Sequence, residues 1–278
     1  MPTFLCVACG TRYPERRDPP AACPICQDVR QYVPGGCQRW VDPLELASRH
    51  ANRVERHEPD LYGIGTTPSF AIGQRALLVR TPDGNLLWDC ISLLDERTVA
   101  WVRELGGLRG VAISHPHYYS SMRAWARAFD VPVHLHEADR AWVMDPGPEV
   151  AHWSGERLSL FGGLTLIRAG GHFPGATVAH WPGGADGRGA LLSGDVLQVV
   201  PDRSIVSFMY SYPNQLPLPA ATVRRVAGSV LDLPFNRIYG AWWDRCIPTD
   251  AKEVVRRGRD RYLAALEGRL PGQDPAEA

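Results

Sequence analysis

Four cysteines in the first 26 residues constrain the fold more than any other feature of this chain. They stand as Cys6-Val7-Ala8-Cys9 and Cys23-Pro24-Ile25-Cys26, with thirteen residues between the pairs. A Cys-x-x-Cys turn brings two thiolates onto one ion, and two such turns complete a tetrahedral site with metal–sulfur distances of ~2.3 Å. Two pairs this close rarely arise by chance, so residues 1–35 are expected to fold around a metal ion. Cys37, Cys90 and Cys246 are isolated and read as small apolar side chains.

Paired cysteines favour a metal over a disulfide where thiols stay reduced. The N-terminus shows no charged segment followed by an apolar one, and no apolar run is long enough to span a bilayer. A cytoplasmic location is therefore expected. Lys plus Arg is 30 and Asp plus Glu is 30, so the formal charge cancels. That balance supports neither nucleic acid nor an acidic membrane as the main partner, and a small-molecule substrate is expected instead. At 278 residues and 45% hydrophobic content, the chain can bury the core of one large α/β domain with a small appendage.

Residues 36–65 read as a connector with a short helical stretch near Pro43–Arg53. From residue 66 to 270, strand-like and helical segments alternate. Phe70–Arg80 and Leu86–Asp89 are predicted strands around a Pro-Asp-Gly turn. Leu94–Leu105 is a predicted helix ending at Gly106-Gly107. Gly110–Ser114, a helix over Tyr119–Phe129 and Val131–His136 make a βαβ unit. Leu164–Arg168, Thr177–Trp181 and Ala190–Ser193 follow as strands, then Ala220–Leu231 and Ala251–Leu266 as helices. Residues 271–278 read as a tail.

A second constellation sits on this pattern. His115-Pro116-His117 directly follows a predicted strand, at the end where α/β proteins place their chemistry. His172 lies in Gly170-Gly171-His172-Phe173-Pro174-Gly175, a turn that presents the imidazole. Asp195, in Ser193-Gly194-Asp195, is again at a strand end. Three imidazoles and a carboxylate suit zinc, or iron if two imidazoles bind. His134 and His136 share one strand face and read as structural.

Cys6-x-x-Cys9-Gly10-x-x-Tyr13 followed by Cys23-Pro24-x-Cys26 resembles the short rubredoxin-like ribbons. The resemblance covers about the first thirty residues and implies either a structural zinc or an electron-carrying iron. Gln27 stands where such ribbons often have glycine.

His115-Pro-His117, Gly171-His172, Ser193-Gly194-Asp195 and the strand-end Asp89 match, in order and context, the metallo-β-lactamase superfamily. The match spans roughly residues 66–245. It implies a four-layer αββα sandwich, an α/β (α+β) fold, carrying the ribbon as an appendage. Tyr119 and Ser120 replace that family's aspartate and second histidine, and Tyr239-Gly240-Ala241-Trp242-Trp243 lacks its terminal histidine. All three lost groups serve a second metal, so one ion is expected, held by His115, His117 and His172 with Asp195. The implied activity is hydrolysis of a small ester, thioester, lactone or amide through metal-bound hydroxide. Asp195 and Tyr119 are the catalytic candidates, and Tyr118, Tyr210, Tyr212 and Trp243 the pocket candidates. Two rivals remain: a mononuclear iron oxidoreductase resembling persulfide dioxygenases, and a non-catalytic scaffold.

Overall fold

The computed structural model describes residues 1–271. Its framework is a seven-stranded and a six-stranded sheet. The first runs in chain order through Ala51–Glu58, Leu61–Thr67, Arg75–Thr81, Gly84–Trp88, Gly110–Ala112, Val133–His136 and Val150–Trp153. Its first four strands are antiparallel neighbours and the rest are parallel. The second is an antiparallel meander of Arg157–Ser159, Thr165–Arg168, Thr177–Trp181 and Ala190–Gly194. Arg237–Gly240 then joins parallel to the fourth of these, and Cys246–Ile247 closes the edge.

Side-chain alternation explains why these strands stack in layers. Along Arg75–Thr81, Leu77 and Val79 face the other sheet, while Ala76 and Leu78 face the helices. Along Ala190–Gly194, Leu192 faces inward and Leu191 outward. Both faces are covered, so the strands are apolar throughout rather than alternating. Leu86, Trp88, Leu166, Ala179 and Trp181 fill the space between the sheets. Outside the first sheet lie Glu96–Glu104 and Met122–Phe129, and outside the second Ala220–Leu231 and Ala251–Leu266. The result is the four-layer αββα sandwich. No helix among the described residues is long and apolar enough to cross a membrane.

Several expected boundaries move. Residues 51–67 are not part of a connector but an edge hairpin of the large sheet, so the sandwich begins well before residue 66. Its outer strand is Ala-Asn-Arg-Val-Glu-Arg-His-Glu, and such charge is how an exposed edge resists pairing with other chains. The helix near Pro43 ends at Arg49, and Asp42 caps it by accepting from the Leu44 amide at 2.7 Å. The strand expected from Phe70 starts only at Arg75, because Ala71 and Gly73 take positive φ in a turn. The helix expected from Tyr119 starts at Met122, after a 3-10 turn at Pro116–Tyr118 and Ser120 at φ 42. Except for Pro271, the proposed tail lies outside the described residues.

The N-terminal module is built on little regular structure. Leu5–Cys6 pairs antiparallel with Trp40–Val41, and the four cysteines, Tyr13 and Ile25 form a buried cluster within it.

Candidate metal centres

The two cysteine knuckles face each other across a buried point. Cys6 and Cys26 Sγ lie 3.6 Å apart, and Cys9 and Cys23 Sγ 3.7 Å. A tetrahedron with metal–sulfur bonds of about 2.3 Å has edges of about 3.8 Å. The Gln38 side-chain amide donates to Cys6 Sγ at 3.1 Å, and Thr11 Oγ1 lies 3.2 Å from Cys9 Sγ. Without an ion the four thiols cannot all ionise. Hydrogen bonds among them hold Cys6 and Cys23 low and push Cys9 and Cys26 up. A cation relieves that conflict by taking all four as thiolates.

The second centre gathers residues far apart in the chain. His115 follows Gly110–Ala112, Asp195 follows Ala190–Gly194, and His172 sits in the turn between Thr165–Arg168 and Thr177–Trp181. Gly170 and Gly171 both take positive φ in that turn. His115, His117 and His172 are buried, and their ligand nitrogens all lie within 4.8 Å of one another. His172 Nε2 is 3.2 Å from His117 Nδ1, and His115 Nε2 is 3.2 Å from Asp195 Oδ1. A tetrahedral zinc with Zn–N of about 2.0–2.1 Å would separate its nitrogens by about 3.3 Å. His115 Nε2 and Asp195 Oδ1 are buried without a hydrogen-bond partner among the described residues. Orphaned polar atoms are costly in an interior, and a shared cation is what would satisfy them.

The ring orientations are fixed from behind. His172 Nδ1 donates to the Tyr210 carbonyl at 2.8 Å, leaving the Nε2 lone pair free. Ser114 Oγ donates to Asp89 Oδ1 at 2.7 Å, so at 3.0 Å it accepts from His115 Nδ1. Asp89 also accepts from the Ser114 amide at 2.8 Å. Outer contacts of this kind set which nitrogen faces a metal. Burial lowers the pKa of all three imidazoles, His172 to about 4, so all are neutral and able to ligate. Burial also pushes Asp89 and Asp195 up to about 7.

The aromatic candidates separate. Tyr118 lies against the centre, its ring 4.4 Å from that of His115 and its hydroxyl buried beside Asp195 without a well-formed hydrogen bond among the described residues. Burial, then Asp195 and Asp89, push its phenol well above the ordinary value. Tyr119 is buried in the apolar layer outside the first sheet and makes no ring contact with the histidines among the described residues. The Tyr212 hydroxyl donates to the Asp195 carbonyl at 2.7 Å, and Tyr210 contributes its backbone. Trp243 turns away and covers Gly63, Gly65 and His57. Its neighbour Trp242 approaches Tyr118, with ring centroids 6.4 Å apart.

No family model matches the chain. A protein of Bacillus subtilis (strain 168) named uncharacterized protein YmaE is 44% identical over 272 residues, covering 97% of this chain and 99% of that one. The chain belongs to the family of YmaE. Its fold is the metallo-β-lactamase fold. TMB-1 is similar at a TM-score of 0.60 and 13% identity, over 78% of this chain and 99% of that one. A metallo-beta-lactamase from Pontibacter korlensis matches at 0.56 and 14%, over 78% and 99%. TTHA1623, in a di-iron-bound form, matches at 0.50 and 24%, over 67% and 94%. In this YmaE-family chain Ser120 Oγ accepts from Gln74 at 3.0 Å, and its carbonyl accepts from the Arg12 amide at 3.0 Å.

Two contributors escaped the sequence. Ser114 gave no signal, because its role depends on Asp89 one strand away. Arg30 lies over the His172 loop from 142 residues away.

Proposed function

We propose that this protein is a metal-dependent hydrolase with a single ion in the histidine centre, acting on a small ester, thioester, lactone or amide. The observation that carries this is the convergence of three buried, neutral imidazoles on one point, with the Asp195 carboxylate 3.2 Å from His115 Nε2 beside them. The solved proteins of the same fold named as metallo-beta-lactamases support hydrolysis as the reaction class. One ion is proposed because Tyr119, Ser120 and the 241–243 segment supply no carboxylate or imidazole for a second. Three imidazoles favour zinc.

His115, His117 and His172 would hold the ion. When bound, it supplies Lewis acidity toward a carbonyl oxygen and brings the pKa of a water to about 7. Asp195 orients the attacking water and takes its proton. The Tyr118 hydroxyl, beside Asp195, donates to the developing oxyanion. The ligand side chains are enclosed, which suits a small substrate.

Elemental analysis of protein purified without added metal, paired with an ester, thioester, lactone and amide panel, tests this. Two ions per chain are expected, with one lost and turnover abolished in His117→Ala. A single ion per chain, retained in that variant, overturns the proposal. Iron in place of zinc would direct the test to oxidation chemistry instead.

A further inference from the structure

The cysteine module grips both segments that carry the histidines. On one side, Ser92 Oγ donates to the Gly10 carbonyl at 2.8 Å, and the Arg12 amide donates to Ser120, three residues past His117. Gly10 has φ +81, and a Cβ there would lie 2.3 Å from Ser92 Oγ, so this approach requires glycine.

On the other side lies Asp28-Val29-Arg30, directly after the second knuckle. The Arg30 guanidinium sits over Phe173, 3.8 Å from the ring centroid, and also over Trp142 at 5.1 Å and Tyr210 at 5.3 Å. Its NH1 donates to the His172 carbonyl at 3.1 Å. Asp28 holds the rest of the fork, Oδ1 accepting from Nε at 2.6 Å and Oδ2 from NH2 at 2.9 Å. The Arg30 side chain is only 8% exposed. The Val29 carbonyl accepts from Ser211 Oγ and Asn214 Nδ2, both at 2.6 Å. This strap therefore holds both His172 and the 210–214 segment, whose Tyr210 carbonyl fixes the His172 ring.

A buried ion pair contributes little net stability compared with apolar side chains of the same shape. A planar guanidinium does fix geometry, with its fork and its face used at once. Here the fork is divided between Asp28 and His172 while the face rests on Phe173.

We infer that Arg30 is a positioning residue for the histidine metal centre: through the His172 carbonyl, Phe173 and Tyr210 it sets the His172 ring and closes the centre to solvent. The inference rests on the proposed occupancy of that centre, but its test reads geometry separately from activity.

The test uses the full chain as wild type, Arg30→Ala, Arg30→Lys and Asp28→Asn. Competition with a chelator gives zinc affinity at the cysteine and histidine centres in each protein. Diethylpyrocarbonate labelling, mapped by mass spectrometry, gives the rate at which His172 is modified after the histidine centre is stripped. Loss of an outer contact typically weakens a metal site by roughly 10–100-fold. Arg30→Ala and Arg30→Lys are expected to weaken zinc at the histidine centre about tenfold and leave the cysteine centre unchanged. His172 should be labelled severalfold faster in both, and Asp28→Asn should fall between. Unchanged affinity and labelling overturn the inference, as does equal loss at both centres, which marks general loosening. If the wild-type histidine centre binds no zinc, the hydrolase proposal fails, and the labelling comparison alone decides the role of Arg30.

Discussion

His115 Nε2 and Asp195 Oδ1 stand 3.2 Å apart without forming a hydrogen bond. Both are buried, and burial keeps the imidazole neutral. Two interior polar atoms that close, each left without a partner, aim past one another at a common point. A cation at that point would satisfy both.

The orientation of His115 depends on Ser114 as much as on the histidine itself. Ser114→Ala leaves His115 Nδ1 without its acceptor and Asp89 without one of its donors. Metal affinity at the histidine centre should fall by roughly 10–100-fold, with the cysteine centre unaffected. Asp89→Asn should act in the same direction. Chelator competition on the intact protein measures both.

Tyr118→Phe removes a buried hydroxyl that lies beside Asp195 and makes no well-formed hydrogen bond among the described residues. Thermal stability should hold or rise slightly, because an unsatisfied group is lost without leaving a cavity. Metal content should be unchanged. If the hydroxyl serves the oxyanion, kcat on any ester or lactone turned over should drop about a hundredfold. An unaltered kcat assigns Tyr118 to structure alone.

His57 accepts a hydrogen bond from the Arg75 guanidinium at 2.6 Å. Burial first, then that cation, depress its pKa from 6.5 to about 4. A depressed imidazole is the more protonated in the unfolded chain between those values. Its contribution to stability is therefore present above pH 6.5 and is lost as pH falls toward 4. Urea denaturation across that window should show the decline, and His57→Gln should make it shallower.

Trp243 was a pocket candidate, and its contacts assign it to the scaffold. A Cβ on Gly65 would lie 2.8 Å from its indole ring. Gly65→Ala should cost about 1–3 kcal/mol by overpacking, visible in denaturant unfolding. Metal content and any activity should be unchanged.

Much of this was legible in the residues themselves. The cysteine knuckles are local, with two residues between the cysteines of each turn, and the thiols meet as their spacing implies. The clustering of His115, His117 and His172 was legible because each lies after a strand end or in a glycine turn, and the apolar strands mark both faces as covered. The hairpin over residues 51–67 was hidden because an exposed edge strand carries charge and resembles a linker. The choice of Trp242 over Trp243 toward Tyr118 was hidden because adjacent residues at a strand end differ only in which way they face.

The sequence by itself determined the two sets of metal-binding side chains and the sandwich that carries them, since spacing and side-chain period are properties of short segments. Only the tertiary structure decided that the two sets are joined. Arg30 reaches His172, and the Arg12 amide reaches Ser120, across separations that no periodicity encodes. Such contacts depend on how the module docks against the sandwich, and docking is set by the whole surface rather than by any motif.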